Sequence, residues 1–275
     1  MAVSKAERAA YNDEIKDIKR EVDQIRKTLN EVATKKKKSP SLANYYNFEM
    51  ASLRMDSIEG FVKMNDLSVE MLGLKNSGPL ENARKEYYRV LQDMEDVVGQ
   101  QVDRSLKEND EHLATVNRLS TAHILAFVKR MHRILETLKN RFGQDSKWKW
   151  SFVDLQARTA VIIKNITSFS EIARLRDPRS PYFYERRDLM QLCKDTLTEA
   201  ARQYRTKYEM AGKARDDLKK SIDYLSALRK IHVLFGEEAE ASKLKNILDA
   251  GKMTLEAEDR EKVKNKKEKD RESLR

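Results

Sequence analysis

Cysteine is almost absent from this chain, with Cys193 the only one among 275 residues. A lone thiol closes no internal disulfide, and no zinc cluster can be assembled from thiolates. Glycine and proline are also scarce, at 8 and 4 copies. Their scarcity and scatter exclude a P-loop or a glycine-rich dinucleotide turn, and leave few places where a helix must stop. No apolar run approaches the roughly 18 residues needed to span a bilayer; Ala160–Ile163, for example, ends at Lys164. The opening MAVSKAERAAYNDEIK has no apolar signal core, so a cytoplasmic location is expected.

Catalytic constellations are missing as well. A di-metal helical bundle needs Glu-x-x-His pairs so that both ligands face inward from one helix. The residues three positions before His112, His123, His132 and His232 are Asn109, Ser120, Lys129 and Arg229. Adjacent acids such as Asp216-Asp217 and Glu237-Glu238 diverge on a helix and read as solvated. Cys193 has no nucleophile context and reads as a half-buried helical thiol. The expectation is a non-enzyme without metal or cofactor.

What the chain has is charge. Charged residues make up 36% and hydrophobic residues 40%, with a formal net charge of +10. That balance suits long helices with narrow apolar seams, and the positive excess favours acidic partners: nucleic acid, anionic lipid or acidic protein. Tyr11, Ile15, Ile18, Val22, Ile25, Leu29 and Val32 alternate steps of four and three, the most regular seam in the sequence. Residues 41–74 carry a broader apolar face. Pro79 sits well in a first turn, and the spacing predicts one helix over 79–142, about 95 Å long at 1.5 Å per residue. Gly99 allows a kink there without requiring one. Further helices are predicted over 146–177 and 182–235.

The fold class expected is all-α: an elongated long-helix bundle of two three-helix bundles sharing a continuous central helix. Its domains are an N-terminal three-helix bundle over 1–105, a C-terminal helical bundle over 106–250, and a charged, frayed or disordered tail over 251–275. Residues 256–275 mix eight basic with seven acidic residues, a near balance that argues against an electrostatic arm.

Trp148 and Trp150 tempt a stacking-platform reading. On a helix, however, residues two apart diverge by about 200°. Trp148 joins Phe152, Leu155, Ile162, Ile166 and Phe169, while Trp150 groups with Val153, Ala157 and Ala160. The motif starts a helix. RLRDPRSPYFYERR is the stronger binding candidate, with Arg174, Arg176, Arg179, Arg186 and Arg187 around two prolines and three aromatics. Arginine forks capture carboxylate and phosphate; equally, such arginines complement a helix C-terminus while the rings plug a bundle end. The lysine run of KKKKSP (35–40) falls at a predicted turn and reads as solvated.

Function is therefore expected to lie in protein–protein contact, as a cytoplasmic scaffold or adaptor. Ile15, Ile18, Val22, Ile25 and Leu29 are a candidate self-association seam for a homodimer, or a seam used inside the chain's own bundle. The rival reading is a binder of RNA or anionic lipid, the latter as a dimeric membrane-binding crescent, with steep salt dependence as its mark.

Overall fold

The computed structural model describes residues 4–273, and of residues 106, 107 and 261–273 the backbone only. Ten α-helices and two 3₁₀ turns account for the regular structure of the described residues, with no strand among them. The protein is all-α. It divides into two compact units, Met1–Met190 and Gln191–Arg275.

In the first unit α1 (Lys5–Lys38) begins with a capping box. The Ser4 Oγ accepts from the Glu7 N–H at 3.1 Å, and Glu7 Oε2 accepts from the Ser4 N–H at 2.7 Å. Lys35, Lys36, Lys37 and Lys38 form the last helical turn and complement the helix dipole there, so the lysine run is helical and not a loop. A 3₁₀ turn, Pro40–Leu42, leads into α2 (Ala43–Leu72), which ends at Gly73 in the left-handed region (φ 62°). The amide N–H groups of Gly73 and Leu74 turn back onto Val69 O and Ser68 O, satisfying carbonyls that the helix end leaves open.

The α1 seam packs on α2. Tyr11, Ile15, Ile18, Val22, Leu29 and Val32 are buried, each worth about 1.5–3 kcal/mol of transfer free energy. Gly60 makes the close approach possible, because a Cβ there would lie 2.9 Å from Val22 Cγ2.

The single helix expected over 79–142 is three. α3 runs Ser77–Val98, α4 Leu106–Leu113, and α5 Thr121–Phe142, with a 3₁₀ turn at Ala114–Val116. The chain leaves α3 at Gly99, whose φ of 74° and ψ of 174° stop the helix. Asn165 then holds the departing stretch of chain. Its fully buried side-chain amide donates to Val98 O and Gly99 O at 3.3 Å and to Gln101 O at 3.1 Å. Ser105 starts α4 with a second capping box to Glu108. No central helix is therefore shared between two bundles; instead α3 packs on α2, α5 and α6 (Lys149–Ile166). Because α3 shares contacts with both earlier and later helices, the first unit extends across residue 105, where the sequence suggests a domain boundary.

α6 is the most deeply buried element of the first unit, and it ends where Thr167 turns extended and Ser168 caps the short α7 (Phe169–Arg174). The helix expected over 146–177 is thus also interrupted. Polar side chains staple the layers. Arg158 grips Glu95 bidentately at 2.6 and 2.8 Å, and Arg54 bridges Asp93 at 2.7 Å and Glu86 at 3.0 Å. Arg141 forks onto Asp66, and Arg130 onto Asp56 and Glu59. Each of these four arginines joins two helices.

One α6 residue runs against the rule that buried polar groups find partners. Gln156 is 0% exposed and neither amide atom has a hydrogen-bond partner among the described residues. Gln156→Leu removes both unmet groups at similar volume, so the variant is expected to be more stable by about 1–2 kcal/mol. Urea titration followed by tryptophan fluorescence checks this; a less stable variant would show that the amide is paired after all.

α8 (Phe183–Met210) carries the boundary between the units, and the unbroken helix expected to Phe235 stops at Gly212 and Lys213, both at positive φ. In the second unit α9 (Arg215–Leu234) stacks Tyr224 on Tyr204, with ring centroids 5.9 Å apart. Cys193 is fully buried rather than half-buried. α10 (Glu238–Ser273) replaces the frayed or disordered tail expected from residue 251. Leu248 is buried with Tyr208, Leu218 and Ile222, and Leu255 packs on that cluster. Arg215 forks onto Asp259, and Tyr208 donates to Glu258. The helix takes in the tail as far as Ser273; positions 274–275 lie outside the described residues.

Glu237 ties the start of this hairpin together. It accepts from Lys194 Nζ at 2.6 and 2.7 Å and pairs with His232 Nδ1. Burial opposes its ionisation, but the Lys194 and His232 hydrogen bonds outweigh burial and hold its pKa below the ordinary 4.5. A carboxylate with a lowered folded-state pKa stabilises above its unfolded value and loses that contribution as pH falls through the folded one. The melting temperature of wild type should therefore drop more steeply below pH 4.5 than that of Glu237→Gln. Parallel pH curves would contradict it.

Candidate functional site

The turn joining α7 to α8 is built by its prolines, its aspartate and one arginine. Asp177 Oδ1 accepts from the Arg179 N–H at 2.9 Å, and Asp177 O accepts from the Ser180 N–H at 2.9 Å and Ser180 Oγ at 2.6 Å. Asx-type turns of this kind follow from a short acidic side chain next to proline. After Pro181, Tyr182 adopts φ 60°, a left-handed conformation that a bulky residue reaches only with strain of about 1–3 kcal/mol.

Arg186 holds that strained residue in place. It is 3% exposed, and its guanidinium donates to Pro181 O at 2.6 Å, Ser180 Oγ at 2.5 Å and Leu175 O at 3.3 Å. Glu171 lies 3.5 Å from its Nη1. Of the five arginines singled out in the sequence, Arg186 is thus the framework of the turn and not part of its surface.

Arg174, Arg176, Arg179 and Arg187 are exposed. Between them stand Tyr182, 46% exposed, and Tyr184, 61% exposed. The Tyr184 ring meets Phe183 edge-on, with centroids 5.3 Å apart and planes at 81°, and Arg187 lies over it at 5.3 Å. Tyr184 is therefore fixed by its neighbours although open to solvent. Asp188, next in sequence to Arg187, is engaged by Lys129 at 2.9 Å. The site is an arginine–tyrosine surface on a rigid turn. Among the described residues no three histidine, cysteine or acidic side chains gather to hold a metal.

A model of the TP0443 family matches residues 7–259, nearly the whole chain. The chain belongs to the TP0443 family. No curated protein and no solved structure matches it. In this TP0443-family chain the match takes in most of α1 and the arginine–tyrosine turn.

The other sequence candidates are placed elsewhere. Ile15, Ile18, Val22 and Leu29 are buried against α2 and Ile25 is half-buried, so the proposed self-association seam is occupied within the chain. A second copy could reach it only by displacing α2. Trp148 is half-buried, with the Arg84 guanidinium 3.6 Å from its ring centroid, whereas Trp150 has Lys149 over it at 5.1 Å. The two rings have separate neighbours, and Trp148 packs against the start of α3. Among the described residues no helix is long and apolar enough to cross a membrane.

Proposed function

We propose that this protein is a non-enzymatic helical scaffold or adaptor that holds a protein partner at the 174–187 turn. The observation that carries this reading is the pair of exposed tyrosines, Tyr182 and Tyr184, set among four exposed arginines on a turn kept rigid by buried Arg186. Tyrosine and arginine are enriched at interface hot spots because each offers a large contact area with a polar end. A rigid turn loses little freedom on binding, so more of the contact energy appears as affinity. The strain at Tyr182 has the same sense, since a backbone held in an unfavourable region presents a side chain that a relaxed turn would not. The partner segment suited to this surface is acidic, with an apolar or aromatic residue to lie against Tyr184.

Glu185 and Asp177 alternate with the arginines, which favours a patterned protein surface over a uniform phosphate lattice. Tyr184→Ala combined with Arg187→Ala should weaken partner binding by about 2 kcal/mol or more, roughly thirty-fold, with the melting temperature unchanged. The chemistry of the bound species decides between this reading and its rival. Binding carried by RNA or anionic vesicles, with the log-salt slope of phosphate contacts, or protein binding that survives the double substitution, sinks the proposal.

A further inference from the structure

Beside the turn, within the first unit, lies a cavity of about 210 Å³. At roughly 30 Å³ of liquid volume per water, it equals about seven waters. Val116, Ile124, Ile166 and Leu189 are among its apolar walls, and Asn117, Thr121, Ser168, Glu171 and Arg186 supply polar ones. Apolar space with a small number of polar groups is the usual form of a small-molecule site.

Two features of the lining are positive. Arg186 lines the cavity, and with Nη1 and Nη2 engaged by the turn, its sealed Nε–H is left without a partner among the described residues. Thr121, the first residue of the 22-residue α5, lines it too. The N-terminal turn of a helix carries spare N–H groups and the positive end of the helix dipole. Glu171 is the one carboxylate on the lining. It lies 3.5 Å from Arg186 Nη1, and its side chain is 38% exposed.

We infer that this cavity binds a small carboxylate carrying a short apolar tail. The carboxylate takes the place of Glu171 beside Arg186, and the tail lies along the apolar walls. A phosphate is a poorer match, because both guanidinium Nη groups are already engaged by the turn and the apolar walls leave most of its oxygens unpaired. This inference stands apart from the partner-binding reading, since the ligand sits behind the turn and not on its exposed face.

The test is calorimetric titration of the full chain with hexanoate, hexan-1-ol and inorganic phosphate. Hexanoate should bind saturably at one site, and hexan-1-ol at least about ten-fold more weakly for want of the charge-assisted contact. Glu171→Gln should tighten hexanoate binding by removing the competing carboxylate. Leu119→Trp, at a half-buried lining position, should abolish binding while leaving the melting curve in place. Equal binding of the alcohol, competition by phosphate alone, undiminished binding to Leu119→Trp, or no saturable hexanoate signal would each overturn it.

Discussion

Asn165→Ala is expected to destabilise the 1–190 unit by about 2–4 kcal/mol, one of the largest losses from a single substitution in this chain. The Asn165 amide is the donor shared by Val98 O, Gly99 O and Gln101 O, and its Oδ1 accepts from buried Lys164 Nζ at 3.1 Å. Alanine leaves those carbonyls facing a cavity with no donor, and strips a buried ammonium of one of its acceptors. For a unit of this size the loss corresponds to a fall of roughly 5–15 °C in melting temperature. Both tryptophans, Trp148 and Trp150, belong to the first unit, so their fluorescence reports its melting directly. A change below about 0.5 kcal/mol would mean that the 99–105 segment is held by something other than this side chain.

A charge in the α1 seam has a comparable effect by a different route. Ile18 is 5% exposed, beside Val22 and the Gly60 gap in α2. Ile18→Asp places a carboxylate without a partner in an apolar interface and removes a branched core side chain. The expected loss is about 4 kcal/mol or more. Lys19→Asp, one position along on the exposed face, should shift stability by no more than about 0.5 kcal/mol. Denaturation curves of both variants distinguish an internal seam from an interface between copies. An Ile18→Asp protein that melts like wild type but changes its oligomeric state would contradict the packing of α1 on α2.

The seam itself was plain in the sequence, because burial on one side of a long helix repeats every three or four residues and Tyr11 through Val32 keep that spacing. What the spacing could not say was which surface covers it. The covering surface depends on Gly60, 38 residues beyond its contact Val22, and on a contact no local pattern encodes. The separation of Trp148 from Trp150 was legible for the same geometric reason. The break after α3 was not. Residues 99–120 contain one glycine and no proline, and the polar KENDEH reads as helix; the break is stabilised by Asn165 from 66 residues along the chain. α10 was hidden by the opposite error. The charged tail was expected to begin at position 251, yet Gly251 lies inside the helix and admits Ile222, whose nearest atom would stand 3.1 Å from a Cβ there.

At the candidate site, the five arginines announced a basic turn but not the division of labour within it. Arg186 differs from its neighbours only in where the start of α8 points it, inward to three oxygens of the turn. The strain at Tyr182 is likewise a product of that closure. The sequence sign available was PYFY itself, aromatic residues following a proline with no apolar periodicity to bury them all.

The central claim is that Tyr184 and its arginines meet a protein partner. The most direct measurement places a photo-crosslinking amino acid at position 184, with a control at exposed Glu14 in α1, and illuminates cells expressing each. A discrete set of protein adducts at 184, absent from the control and lost when Arg187 is also replaced, is the result expected. Adducts that are nucleic acid or lipid, or none above the control, would contradict it.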